Sequence, residues 1–168
     1  QAHQTVADSH GDPLRARQLA AGLATQGFNA RTVDHLEHAA CEADIISCAT
    51  LSHTALIRGA WLRPGTHLDL IGSFMPAMRE SDAQCFARAS VYVDTPEALV
   101  KAGDVLQAIA EGSFSAGQLQ GTLAQLCRGE CPGRSAALQI TLFKSVGTAL
   151  EDLVAAELVW DALAPQDA

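Results

Sequence analysis

Small and hydroxyl residues cluster at three points in this chain, each just after a short apolar run. They are Asp8 to Gly11 (DSHG), Ala49 to Ser52 (ATLS) and Gly72 to Phe74 (GSF). Small residues let a ligand approach the backbone, and hydroxyls hydrogen-bond to sugars and phosphates. Any one cluster reads equally well as an ordinary turn. Three together, at successive strand ends, point to a nucleotide site, because open parallel sheets bind ligands beyond the carboxyl ends of their strands. Metal chemistry has no comparable signal. Cys127 and Cys131 are four apart with no second Cys or His pair nearby, and the histidines show no H-x-x-x-H or H-E-x-x-H spacing. No metal is expected.

The elements that must position these clusters follow from pattern. Asp12 before Pro13 is a helix start, Leu14, Ala16, Leu19, Ala20 and Leu23 recur at helical spacing, and Gly27 stops the helix. Residues 28–33 alternate like a strand, 36–41 form a short helix, and 44–48 (DIISC) and 66–71 (THLDLI) are compact strands. Residues 81–87 are helical, 90–94 (SVYVD) are a strand, and Thr95-Pro96-Glu97 starts another helix. Residues 112–117 and 128–135 are loops, 138–143 a last apolar run, and 146–163 a long helix rich in Ala and Leu. Strands alternating with helices predict an α/β fold with a mostly parallel sheet.

Composition narrows the function. The chain has 168 residues, 48 % of them apolar, which suits one core of ordinary size. Lys+Arg 11 against Asp+Glu 19 gives a net charge of −8, without the basic footprint of a general nucleic-acid binder. Apolar runs are far too short for a membrane span, so neither nucleic acid nor membrane is an expected partner. Five cysteines, an odd number scattered through apolar segments, fit reduced thiols and a cytoplasmic protein. The opening QAHQTVADSHGD has neither the basic nor the apolar region of a signal peptide. The G-x-G-x-x-G loop that opens a dinucleotide fold does not occur.

Three stretches resemble the ornithine cyclodeaminase/μ-crystallin family. They are ADIISCAT (43–50); WLRPGTH (61–67) running into IGSFMPAMRE (71–80); and ITLFKSVG (140–147) running into ALEDL (149–153). The resemblance covers roughly residues 5 to 160. It implies a Rossmann-like parallel sheet that binds NAD or NADP, here without its first strand and Gly-rich loop. Residues 1–143 would be the partial cofactor domain. The helix in 144–168 would belong to a second domain for dimerisation and substrate binding, built mainly from an N-terminal half. A homodimer through that half is implied, with substrate Arg and Lys ligands there. Without the central strand, buried backbone groups would go unpaired, at about 1–3 kcal/mol each. The chain is therefore expected to be a fragment, a truncated product or a chain that needs a partner to supply that strand, and to be inactive alone.

The resemblance also assigns residues. Thr50 and Ser52 line the cofactor cleft, with loop capping as the alternative. Gly72 and Ser73 border the nicotinamide end, as do Ser145 and Val146. Ser9 and His10 lie where the adenosine ribose is read; an acid there favours NAD, and His10 closest to that position argues against strict NAD use. Phe74 stands where cyclodeaminases carry an Asp for acid/base chemistry, which Phe cannot perform. The form G-S-F-x-P-x-M-R-E looks instead like an imine-reductase branch, reducing cyclic ketimines such as Δ1-pyrroline-2-carboxylate; Phe74 as simple packing is equally compatible. Conversion of ornithine to proline and ammonia is one alternative, and a catalytically silent binding protein another. Either way the partner is a small imino or amino acid. Lys144 suits a snorkelling surface position as well as a site position. Arg79 and Glu80 read as an ion pair fixing the loop after Phe74.

Overall fold

The structure, a computed structural model, describes residues 12–163 together with the strand Gln4–Val6 (β1). Asp12 caps α1 (Pro13–Thr25) by accepting from the N–H of Leu14 at 3.0 Å and of Arg15 at 3.4 Å, with Pro13 in the first turn. Gly27, at φ +87°, turns the chain out of the helix, and β2 (Ala30–Thr32) pairs in parallel with β1. Next come α2 (Leu36–Glu42), β3 (Ile45–Cys48), a 3-10 turn at Gly59–Trp61, and β4 (His67–Leu70). They are followed by α3 (Ala83–Arg88), β5 (Ser90–Val93), α4 (Ala98–Lys101) and α5 (Gly103–Ala110). After β6 (Gly121–Thr122) and α6 (Leu123–Cys127), the chain closes with β7 (Thr141–Lys144) and α7 (Ala149–Leu163).

Two elements go beyond the sequence reading. Strand β6 is only two residues long. Helix α6 opens on a capping box, in which Thr122 Oγ1 accepts from Gln125 N–H and Gln125 Oε1 accepts from Thr122 N–H. Strand β7 includes Lys144, so the sheet runs one residue past the expected boundary at 143.

Five strands form one parallel sheet in the order β3-β4-β7-β5-β6. Chain order would put β5 beside β4; instead β7 inserts between them. Its apolar run places Leu142 level with Leu68 and Val91, and all three are buried. The central position covers both edges of this strand, as an apolar parallel strand requires. Among the described residues nothing pairs with the outer edge of β3, where Ile45 is 70 % exposed, and β1 and β2 form a separate ladder.

Strand register sets what the core sees. Ile46, Leu68, Leu142 and Val91 share one row, and Cys48, Leu70, Lys144 and Val93 share the next row on the same face. Against that face pack Cys85 and Phe86 of α3, Val105 and Ala108 of α5, and Phe114. Each fully buried aliphatic or aromatic side chain contributes about 1.5–3 kcal/mol. A lysine therefore stands in the middle of an apolar row. Helix α7 is the reverse case: Leu150, Leu153, Val154, Leu158, Val159, Trp160 and Leu163 are all exposed.

Candidate functional site

Because β3, β4, β7 and β5 are neighbours, the turns after them stand side by side at the carboxyl rim of the sheet. Adjacent strands lie about 4.8 Å apart. Topology thus brings together Thr50 and Ser52, then Gly72 to Phe74, then Ser145 and Val146, then Asp94. Ser9 and His10 lie outside the described residues.

The first turn is held from inside. Thr50 N–H donates to Glu80 Oε1 at 2.5 Å, and Thr50 Oγ1 accepts from Ser52 N–H at 3.2 Å. Ser52 Oγ donates to Thr54 O at 2.7 Å. These hydroxyls therefore cap their own loop, and both residues are only half-buried. In the second turn an added Cβ on Gly72 would collide with Thr50 O and the Glu80 carboxylate, so only glycine fits. Ser73 takes a left-handed φ of +52°, is fully buried, and donates its hydroxyl to Met78 O at 3.0 Å. Its hydroxyl shapes the turn and is not presented at the rim. Phe74 is 43 % exposed beside exposed Met75, so it is not a core residue in this chain.

The third turn rests on Asp94, which the sequence reading did not single out. Asp94 Oδ2 accepts from Val146 N–H at 2.7 Å, Gly147 N–H at 2.8 Å and Ser145 Oγ at 3.0 Å. Its Oδ1 accepts from Thr95 N–H at 2.7 Å. An acid ending a strand and followed by Thr-Pro was the available signal. The sequence places Asp94 at a strand end just before a helix start, with no role for its carboxylate.

Two expectations need correction. Arg79 and Glu80 do not pair. Arg79 Nη2 meets Glu111 Oε1 at 3.0 Å, while Glu80 is fully buried. The chain bends at Glu80, and the two side chains part: Arg79 goes to Glu111 and Glu80 to the Thr50 turn. Nor is Lys144 a snorkelling surface residue. It is fully buried and its ammonium donates to Leu70 O at 3.1 Å and to Gly72 O, with Asp104 Oδ2 4.0 Å away. Being two residues after Leu142, it emerges on the same covered face.

Asp104, in the first turn of α5, completes this centre. Its Oδ1 accepts from Glu80 N–H at 2.9 Å, Ser81 N–H at 2.8 Å and Ser81 Oγ at 3.2 Å. Burial raises the Glu80 carboxyl above its ordinary value, opposed by the Thr50 N–H. Burial lowers the Lys144 ammonium, opposed by Asp104 and Glu80.

The same burial, with Glu80 and Asp104 nearby, pushes the Cys48 thiol up to about 12. Cys85 is raised too, first by burial and then by Asp82. All five cysteines are free. The thiolate is the reactive form, so at pH 8 an alkylating reagent should leave Cys48 and Cys85 unmodified until the protein unfolds. Peptide mapping by mass spectrometry checks this; rapid native labelling of either would contradict the buried placement. Among the described residues no cluster of His, Cys, Asp and Glu could hold a metal ion, and no helix is long and apolar enough to cross a membrane.

A parallel α/β sheet with small-residue turns along its carboxyl rim defines a Rossmann-like unit. The family model for the ornithine cyclodeaminase/mu-crystallin family matches residues 10–167, and the chain belongs to that family. It is 39 % identical over 148 residues to the Delta(1)-pyrroline-2-carboxylate reductase of Paracoccus denitrificans, covering 88 % of this chain and 47 % of the relative. It is 35 % identical over 132 residues to the ketimine reductase mu-crystallin of Mus musculus, covering 78 % of this chain and 39 % of that protein. Among solved structures, the Thermococcus litoralis Delta(1)-pyrroline-2-carboxylate reductase in complex with NADH and L-proline superposes with a TM-score of 0.89 at 31 % identity, covering 94 % of this chain and 49 % of that one. The chain spans about half the length of the curated relatives it matches.

Proposed function

We propose that the whole protein carrying this chain reduces small cyclic ketimines, such as Δ1-pyrroline-2-carboxylate, with NADH or NADPH. The observation that carries this reading is the turn after β4. Phe74 lies there exposed at the rim, where deamination and ring closure would need a titratable group. The acids beneath the rim are turned inward: Glu80, Asp94 and Asp104 are all buried. The relatives named as reductases support the same reading.

The residues present suit the sugar and nicotinamide side of a dinucleotide. Half-buried Thr50, Ser52, Ser145 and Val146 flank a turn at Gly72 where the backbone is bare of side chain. The grip on the diphosphate is left to a Gly-rich loop, which this chain does not contain. When bound, NADH or NADPH would supply a hydride for the reduction of a C=N bond. This chain's own part is to hold the rim: Glu80 fixes the Thr50 turn, Lys144 fixes the Gly72 turn, and Asp94 fixes the Ser145 turn. Phe74 contributes apolar surface beside the reacting ring.

The chain is read as residues 1–143 of a cofactor domain followed by a helix for a second domain, which would cover the exposed apolar side chains of α7. Substrate-carboxylate ligands and a homodimer contact are assigned to that second domain. Free thiols suit a cytoplasmic setting. Ser9 and His10 are proposed at the adenosine ribose, where His10 is compatible with either dinucleotide. Incubating the full-length protein with Δ1-pyrroline-2-carboxylate should consume NADH or NADPH and release proline. Ammonia release from ornithine would make it a cyclodeaminase instead. Cofactor binding without either turnover would make it a binding protein.

A further inference from the structure

We propose that Glu80 is a positioning residue for the dinucleotide: it sets the height of the Thr50 turn against the Gly72 turn, through a buried lattice with Lys144 and Asp104. The inference rests on the reading that this rim holds a nicotinamide dinucleotide.

The lattice works by opposite hydrogen-bonding roles on adjacent turns. On the β3 side, Thr50 N–H has left the sheet ladder and its acceptor is the Glu80 carboxylate. On the β4 side, the Leu70 and Gly72 carbonyls accept from the Lys144 ammonium. A carboxyl acceptor thus holds one turn by its donor, and an ammonium donor holds the next by its acceptors. Asp104 ties the two halves: its Oδ1 takes the Glu80 and Ser81 N–H groups, and its Oδ2 faces Lys144 at 4.0 Å.

Glu80 is itself clamped along its main chain. Its carbonyl accepts from Leu56 N–H at 2.9 Å and Ile57 N–H at 3.0 Å, and the neighbouring Arg79 N–H donates to Ser52 O at 2.7 Å. The carboxylate therefore reaches the Thr50 turn from a fixed base. Gly72 leaves no slack, because the Thr50 carbonyl and the Glu80 carboxylate already occupy the space a side chain would need. Glu80 Oε2 and Asp104 Oδ2 have no hydrogen-bond partner, although both are buried. Buried acceptors are costly to leave unpaired, so packing alone is a poor account of two such carboxylates. Their retention is explained by the reach they give to the rim.

Reach and charge separate experimentally. Glu80→Asp keeps the charge but withdraws the acceptor by one methylene. Glu80→Gln removes the charge but keeps an oxygen at the same reach. In the full-length protein, E80D should weaken NADH or NADPH binding, read by cofactor fluorescence, by roughly tenfold, the loss of about one buried hydrogen bond. E80Q should recover most of that binding, and the Thr50 amide should exchange slowly with deuterium in wild type and E80Q but fast in E80D. If E80D binds cofactor as wild type does and only melts lower, the role is purely structural and the inference fails. It fails equally if E80Q weakens binding as much as E80D, since charge would then matter more than reach. Should E80D not fold, E80Q decides: lost Thr50 protection or lost binding overturns the inference, and retention of both upholds it. A wild-type protein that binds neither dinucleotide overturns the functional reading itself, whereas normal wild-type binding with an unaffected E80D overturns only the positioning role.

Discussion

Replacing Lys144 with methionine should destabilise the full-length protein by about 3–5 kcal/mol, the usual cost of removing one partner from a buried ion pair. That is a large share of the ~5–15 kcal/mol that holds a domain folded. Methionine matches the length and apolar stem of lysine, so little cavity is created and lost packing is a minor part. What is lost is the charge and its donors. Gly72 O loses the Lys144 donor, and the Asp104 and Glu80 carboxylates lose their nearest cation in the core. Leu70 O suffers less, because Ser145 N–H still donates to it at 3.0 Å. The origin of the penalty can be isolated. Asp104→Asn keeps an Oδ1 acceptor for Glu80 and Ser81 while removing a negative charge, so the double variant should be less destabilised than the two single losses added. A coupling of about 0.5–3 kcal/mol is expected for groups in one network. Urea unfolding of the four proteins measures it. A cost below about 1 kcal/mol for K144M, or strict additivity, would mean that the buried ammonium is not paired as described.

How far the sequence foretold this centre differs from residue to residue. Helix α1 was legible because its signals are local: Asp12 and Pro13 at the start, Gly27 at the end. The strand-end turns were legible because small and hydroxyl residues follow short apolar runs. The position of β7 was not legible. A short apolar run carries no mark saying whether it lies at the middle or the edge of a sheet, and only the burial of Leu142 between Leu68 and Val91 settles it. Lys144 was hidden by its type, since charge normally means surface. Its spacing from Leu142 held the contrary information: residues two apart on a strand share a face. Glu80 was misread because its neighbour Arg79 offered an obvious partner, whereas Arg79 pairs with Glu111 from a distant helix end. Asp104 was hidden because a single acid has no pattern, and the strand-end position of Asp94 before Thr-Pro did not say what its carboxylate would hold. Their roles exist only once the strand ends of β5 and β7 and the start of α5 are brought together. The acids that build the rim are thus the least visible parts of the site, while the hydroxyls that first mark it mostly cap their own loops.

A methyl group at Gly103 should disturb the same rim from below. A Cβ there would run into Met78 O and would lie 2.7 Å from Met75 O and 2.8 Å from Pro76 O. All three are backbone oxygens, so no side chain can swing aside to make room. The turn they belong to is tied to α5 by Gly103 N–H donating to Ser73 O at 3.1 Å and Asp104 N–H donating to Ser73 Oγ at 3.2 Å. Ser73 holds a left-handed backbone, which costs about 1–3 kcal/mol and persists only while its surroundings enforce it. Gly103→Ala must therefore push the 73–78 turn outward and loosen Ser73 and Phe74 with it. Helix propensity acts the other way, since alanine gains up to about 1 kcal/mol over glycine in a helix. The collision should win, for a net loss of about 1–3 kcal/mol, the ordinary cost of overpacking. On the proposed reading, ketimine turnover should fall with it, because the displaced turn carries Phe74. Gly22→Ala in α1 is the matched control: nothing lies within 4 Å of its added Cβ, so propensity acts alone and should stabilise by about 0.5–1 kcal/mol. Urea midpoints and ketimine-dependent NADH consumption of both variants test the contrast. If Gly103→Ala is as benign as Gly22→Ala, the close approach of α5 to this turn is wrong, and the rim is not set by the backbone contacts described.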